Sequence, residues 1–338
     1  MEDNLLDFTQ QVNHARFLGQ PNGHYESFFL RANHPTRPLA FWIRYTLFSP
    51  KNPQERVLGE LWCVFFNGET NQHIAAKQEY PLSDCHFDTS SFDVRVGTAT
   101  LGPGSLQGSI KNQEHSLAWE LTYNGDSPPL LLLPLNLYAG HFPAAKSLVS
   151  RPMACFNGSL WVEEEKVDIT QWVGSQNHNW GTRHTDLYAW GQVAGFDNYP
   201  NSSLEVATAR LKLGPLWSPP ITLIVLRHQQ QEYILTDLIQ AIRAQGTFRY
   251  FSWDFKSKTA SVEIEGQITA PSRAFVGLNY YNPPGGSKHC LNSKIASCTL
   301  HLRDRRTGKV ETLETKHRAA FEILTSDQTH GIEMMKLE

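Results

Sequence analysis

Short runs of aromatic and β-branched residues, broken every few positions by Asn, Gly, Pro or Asp, constrain this chain more than any other feature. Such punctuation marks many strands joined by turns. In residues 262–268, Val262, Ile264, Gly266 and Ile268 alternate with Glu263, Glu265 and Gln267. Only an extended backbone sorts them onto opposite faces. Similar runs lie at 24–32, 39–48, 59–66, 118–123, 186–196, 203–213, 221–226 and 295–302. In residues 303–310 (RDRRTGKV), a glycine stands between two strand-like runs, where a tight hairpin needs a positive φ. Helical periodicity is weak, with residues 4–14 and 235–244 as the two candidates. The expected class is all-β.

At 338 residues the chain exceeds one ordinary core and suits two of roughly 150 residues each. A connector is expected at 142–157, after the Pro-rich SPPLLLLP and before a new strand-like run. It divides the chain into 1–155 and 156–338. Each half repeats strand, polar turn and strand, which predicts two antiparallel barrels of similar plan packed together.

A net charge of -3, with both signs interspersed, gives no footing for nucleic acid. The longest apolar run, at 130–135, is cut by Pro134 and falls far short of the roughly 20 residues a membrane-spanning helix needs. The start, MEDNLLDFTQQ, is acidic where a secretory signal is basic, and the five cysteines are scattered without a C-x-x-C pair. Both features fit a cytoplasmic protein. Barrels close their own edges, so nothing specifies an oligomer. Peripheral contact with a membrane through an apolar rim remains compatible with the sequence.

Residues 176–192 (QNHNWGTRHTDLYAWGQ) concentrate the functional side chains. Asn177, His178 and Trp180 precede a glycine, in a segment read as a loop or irregular strand that presents side chains. On the following strand, Asp186, Tyr188, Trp190, Gln192 and Phe196 share one face, opposite the small face of Leu187, Ala189, Gly191, Val193 and Gly195. An aromatic face with few polar groups, Asp186, His184 and Gln192 among them, is how a barrel lines an apolar-ligand cavity. The spacing of His178, His184 and Asp186 does not establish a metal site. NPPGGSK lacks the phosphate-loop spacing, and no dinucleotide fingerprint occurs, so the expectation is chemistry or binding without a cofactor. Residues 279–294 (NYYNPPGGSKHCLNSK) are read as a long surface loop, with lid function as the alternative.

The segment NHNWG followed by H-x-D-x-Y-x-W-x-Q, with HYESFFLRAN and FWIRYTLF upstream, resembles the superfamily of tocopherol cyclase, carotenoid 1,2-hydratase and AttH-like proteins. The resemblance implies two lipocalin-like barrels with an apolar ligand site in or between them. It implies cyclisation or hydration of isoprenoid alkenes, or carriage of a lipid or pigment. The hydratases and AttH-like members are similar in placing an Asp just before the His of the motif. Here Asn177 stands there, and an amide cannot protonate an alkene as an acid does. The tocopherol cyclase pattern is closer, and it is matched by Asn177, His178, Trp180, Tyr188, Trp190 and Gln192. A cyclase needs an acid at the reacting end. Asp186 is the expected one, with its pKa raised by burial beside Tyr188 and Trp190, and His178 and His184 are the alternatives. Trp180 and Trp190 are expected to face a developing cation. In the first half, Tyr25, Glu26, Trp42 and Arg44 are expected to contact the ligand, Arg44 alternatively pairing with Glu26. The expected partner is a small apolar molecule such as an isoprenoid, polyene or lipid.

Overall fold

The computed structural model describes Phe8 and residues 11–335. Two large antiparallel sheets, of twelve and ten strands, dominate it, with one small hairpin, Lys212–Leu213 and Leu216–Trp217, beside them. In the first sheet, neighbours run Ile74–Pro81, Leu58–Asn67, Leu39–Ser49, His24–Asn33, Glu165–Gly181, Ala145–Val162 and Ser116–Asn124, followed by four shorter strands. The second runs Gln231–Leu235, Ile221–His228, Ser203–Arg210, Leu187–Ala194, Val310–Thr325, Ser287–Asp304, Val262–Thr269, Ser252–Lys258 and Gln245–Arg249. Each curls until distant strands meet: Ile74–Pro81 approaches Ser105–Lys111, and Ile221–His228 approaches Gln245–Arg249. The result is the expected all-β architecture of antiparallel barrels.

The expected hairpin joins Ser287–Asp304 to Val310–Thr325 through Gly308, whose φ is 75°. Of the expected helices, residues 238–243 form one, capped by the Asp237 carboxylate, which accepts from the Ile239 and Gln240 amides. The one expected over 4–14 lies largely outside the described residues. No helix among the described residues is long and apolar enough to cross a membrane.

Three expectations about the chain's layout need correction. Position 155 falls inside the strand Ala145–Val162, and the change from first to second sheet comes between Gly181 and Leu187. The motif segment through Gly181, expected as a loop or irregular strand, is a strand of the first sheet in unbroken register with His24–Asn33. Residues 279–294 are two paired strands around a short turn, with Cys290, Asn292 and Lys294 buried.

Every residue of His24–Asn33 and Leu39–Ser49 is buried. A strand is closed on both sides only when both faces are covered. Phe28, Leu30, Phe41 and Ile43 fill the first barrel's own core. Phe29, Trp42, Trp62 and Phe66 face outward and merge with the core of the second barrel. The second barrel is built to receive them. The small face of Leu187–Ala194 packs inward, where a Cβ at Gly191 would come within 3.0 Å of the Trp253 ring. This turns Tyr188, Trp190 and Gln192 toward the first sheet, and the functional side chains meet at that junction.

Candidate functional site between the two barrels

The junction is part polar clasp and part cavity. In the clasp, Arg31 Nε donates to Gln192 Oε1 at 2.7 Å, and its Nη1 donates to Asn33 Oδ1 at 2.7 Å. Gln192 Nε2 donates to Asn177 Oδ1 and to Glu205 Oε2, each at 2.9 Å. Ser175 Oγ donates to Gln192 Oε1 at 2.6 Å, so the Gln192 amide is fully engaged. The other Glu205 oxygen accepts from Trp190 Nε1 at 2.6 Å. Burial pushes the Glu205 carboxyl up to about 7, against the pull of its Trp190 and Gln192 hydrogen bonds and the Arg31 charge.

Beside the clasp lies a cavity of about 240 Å³. One wall is apolar, formed by Leu132, Leu133 and Leu137 of the connector and by Leu211, Ile221 and Leu223 of the second barrel. Phe142 and Leu238 border it while remaining 65% and 62% exposed, and Ile239 and Ile242 stand exposed in the same helix as Leu238. The remaining wall gathers around Arg44, with Tyr25, Trp42, His184, Tyr188, Tyr280 and Glu322. The Arg44 guanidinium carbon lies 4.2 Å from the centre of the Tyr280 ring. Tyr25 stacks on His184 with ring centres 4.0 Å apart.

The protonation states on this wall follow from burial. Burial raises the phenols of Tyr25, Tyr188 and Tyr280, which stay protonated as neutral donors. Burial and the Arg44 charge push His184 down to about 3, so its imidazole is neutral. His184 Nε2 faces the Tyr281 carbonyl at 3.1 Å, and a carbonyl only accepts, so Nε2 carries the proton and Nδ1 keeps a lone pair. Glu322 Oε1 accepts from Lys294 Nζ at 2.6 Å and from Asn292 Nδ2 at 3.1 Å.

Several buried polar atoms here have no hydrogen-bond partner among the described residues: Arg44 Nε, Trp42 Nε1 and Asn179 Oδ1 on the cavity, and Ser27 Oγ and Thr46 Oγ1 next to it. Ser27 stands opposite both Asn179 and Thr46 in the ladder. Buried polar groups are nearly always paired, so such a concentration marks a place built to meet something other than the chain.

Of the residues expected from sequence, the cavity collects Tyr25, Trp42, Arg44, His184, Tyr188 and Trp190. Asn177 and Gln192 lie behind it, in the clasp. Four others are elsewhere. His178 stacks on Phe28 inside the first barrel, with Nδ1 2.6 Å from the Val12 carbonyl and Nε2 2.7 Å from Glu26 Oε1. Glu26 also accepts the amides of Arg16 and Phe17, so the pair fastens the segment before the first strand. Burial opposes its ionisation, yet hydrogen bonds from His178 and His24 hold the Glu26 carboxyl down at about 2. Arg44 makes no pair with it, because the two side chains leave opposite faces of the sheet. Trp180 packs on Tyr138 and Arg16 away from the cavity. Asp186 precedes the strand, which begins at Leu187, so the alternation does not reach it. Its carboxylate accepts the Lys212 amide at 2.9 Å and faces Arg183, in a surface groove rather than beside Tyr188 and Trp190. His178, His184 and Asp186 thus face three separate places, and no three metal-ligating side chains converge among the described residues.

Sequence reasoning missed Arg31, Glu205, Tyr280, Lys294 and Glu322. A usable signal existed for three of them: one charge embedded in an otherwise apolar strand, as in FFLRAN, SLEVATA and AAFEIL.

No family model matches the chain. The uncharacterized protein Rv0493c of Mycobacterium tuberculosis is 27% identical over 218 residues, and the chain spans 64% of that relative's length. Three solved structures share the fold at low identity. A protein designated AttH from Nitrosomonas europaea is 14% identical with a TM-score of 0.54, covering 93% of this chain and 95% of its own. Kievitone hydratase from Nectria haematococca is 12% identical with a TM-score of 0.55, covering 90% and 89%. CghA is 10% identical with a TM-score of 0.55, covering 93% of both. These are lipocalin-like barrel proteins, and the chain is similar to them in fold.

Proposed function

We propose that the chain is a cofactor-independent enzyme that closes a ring in, or isomerises, a largely apolar small molecule held between its barrels. The observation that carries this reading is the Arg44 wall, where a buried cation, neutral phenols and a neutral imidazole face an apolar wall across one cavity. Arg44 and the phenols of Tyr25, Tyr188 and Tyr280 are donors for an oxygen on the substrate, and they strengthen as charge develops there. The Glu322 carboxylate is the proton acceptor on this wall, and the lone pair of His184 Nδ1 accepts a hydrogen bond from the substrate and orients it. The apolar wall folds the rest of the molecule against the reacting end, which converts positioning into rate. Isoprenoids and polyenes fit such a wall. The exposed Phe142, Leu238, Ile239 and Ile242 rim gives an apolar substrate a route from a lipid surface.

The fold is also that of a protein named as an enzyme, kievitone hydratase. Hydration through the motif position is disfavoured, because the Asn177 amide is committed to Gln192 and Ser175. Carriage of a lipid or pigment is the competing reading, favoured by the rim. One experiment separates the three. Extract the purified protein, identify the bound molecule by mass spectrometry, and incubate it and its unsaturated open-chain analogue with fresh protein. An isomer of unchanged mass supports the enzyme, a gain of one water supports a hydratase, and unchanged recovery leaves a carrier.

A further inference from the structure

We infer that the molecule taken by the cavity carries an anionic end, a carboxylate or an enolate, and that Arg44 holds it. The inference rests on the cavity being a site for a largely apolar molecule and adds the charge of that molecule's polar end. Five other cations are buried in or near the junction, and each has a hydrogen-bonding or ion-pair partner. Lys146, which also lines the cavity, donates to the Pro143 carbonyl at 2.8 Å. Arg31 is bonded to Gln192, Asn33 and the Arg318 carbonyl. Lys77 Nζ lies 2.6 Å from Glu60 Oε1, Lys294 Nζ lies 2.6 Å from Glu322 Oε1, and Arg318 Nη2 lies 2.9 Å from Asp197 Oδ1.

Arg44 differs from all of them. It is 5% exposed, lines the cavity, and has neither a hydrogen bond nor an ion pair among the described residues. Glu60 and Glu322, which act on it from a distance, are already taken by lysines. The phenols around it are protonated and supply no negative charge.

Geometry says where the partner sits. The Tyr280 ring covers the guanidinium 4.2 Å away, which leaves its N–H fork for an acceptor in its plane. Such a fork matches two oxygens of one anion better than a single neutral oxygen. Trp42 Nε1, also unpartnered, is a further donor on the same wall. A neutral ligand end would leave the buried Arg44 guanidinium without an anion of its own, balanced only at a distance by carboxylates that already hold lysines.

The test uses the full chain and three probes of equal tail length: dodecanoate, dodecanol and dodecyltrimethylammonium, titrated by calorimetry at pH 8. Dodecanoate is expected to bind at least about tenfold tighter than dodecanol, with the ammonium weakest. Arg44→Gln is expected to remove the preference for dodecanoate while leaving dodecanol affinity within about threefold. Arg44→Lys, which keeps the charge without the fork, should retain part of it. Equal binding of dodecanoate and dodecanol by the unaltered protein overturns the anionic end and leaves the apolar site standing. Binding of none of the three overturns both. The comparison of probes on the unaltered protein decides the matter even if a variant fails to fold.

Discussion

Arg31 Nε reaches Gln192 Oε1 across 2.7 Å, and that bond passes from one barrel to the other. Both groups are buried, and each holds further partners in its own sheet. Arg31→Ala leaves Gln192 Oε1 with its Ser175 bond alone and takes the nearby positive charge away from Glu205. The expected loss is about 3 to 5 kcal/mol in urea unfolding. A loss below about 1 kcal/mol would show that the junction contributes little to stability.

Glu205 makes stability pH-dependent in an unusual direction. Its folded value of about 7 lies above the 4.5 of an ordinary glutamate, so between those values the folded chain holds a proton that the unfolded chain releases. Stability contributed by this group is complete below 4.5, falls as pH rises through that window, and levels off above 7. The change amounts to about 3 kcal/mol. Urea midpoints measured from pH 4.5 to 7.5 should fall for the unaltered chain relative to Glu205→Gln, and parallel profiles would remove Glu205 as the cause.

Glu26 works in the opposite sense. Its folded carboxyl sits at about 2, below the ordinary 4.5, so its contribution is present above 4.5 and is lost as pH falls toward 2. Glu26→Gln should therefore be less stable than the unaltered chain at neutral pH, with the gap closing in acid. The segment fastened by this carboxylate, around Arg16 and Phe17, should be cut faster by trypsin. Probe binding in the cavity should survive, because Glu26 and His178 face the first barrel's interior.

Turnover, once a substrate is identified, should separate His184 from Asp186. His184→Ala removes the orienting lone pair beside Tyr25 and is expected to lower kcat by about 100-fold or more. Asp186→Asn should leave kcat unchanged, since its carboxylate holds the Lys212 amide in a different groove. The reverse result would return the acid role to Asp186.

The apolar rim should sediment with lipid. Leu238→Asp with Ile239→Asp is expected to reduce co-sedimentation with phosphatidylglycerol vesicles by about tenfold or more, since each aliphatic side chain carries roughly 1.5 to 3 kcal/mol of burial. Equal sedimentation of both proteins would place the contact elsewhere.

The strands were legible because their alternation is local. The runs at 24–32 and 39–48 and the turn at Gly308 appear in the structure within a residue or two of their expected limits. Partnership was not legible. Whether Glu165–Gly181 and Ala145–Val162 belong to the first or second sheet depends on pairing with His24–Asn33 and Ser116–Asn124 respectively, more than a hundred positions away in the first case. The site divided along the same line. Tyr188 and Trp190 followed from alternation within one strand. Asp186 failed because alternation was carried one residue past the strand's end. Lys294 and Asn292 read as solvated loop residues, because the Glu322 that buries them arrives from another strand.

The double burial of His24–Asn33 also bears on how this protein tolerates change. The outside of the first barrel is part of the inside of the second, so Phe29, Trp42, Trp62 and Phe66 have no solvent-facing alternative. Separated at residue 184, the first half would display that aromatic face to water and aggregate through it. The two halves must be inherited, expressed and altered together, and a substitution that suits one barrel has to satisfy its neighbour as well.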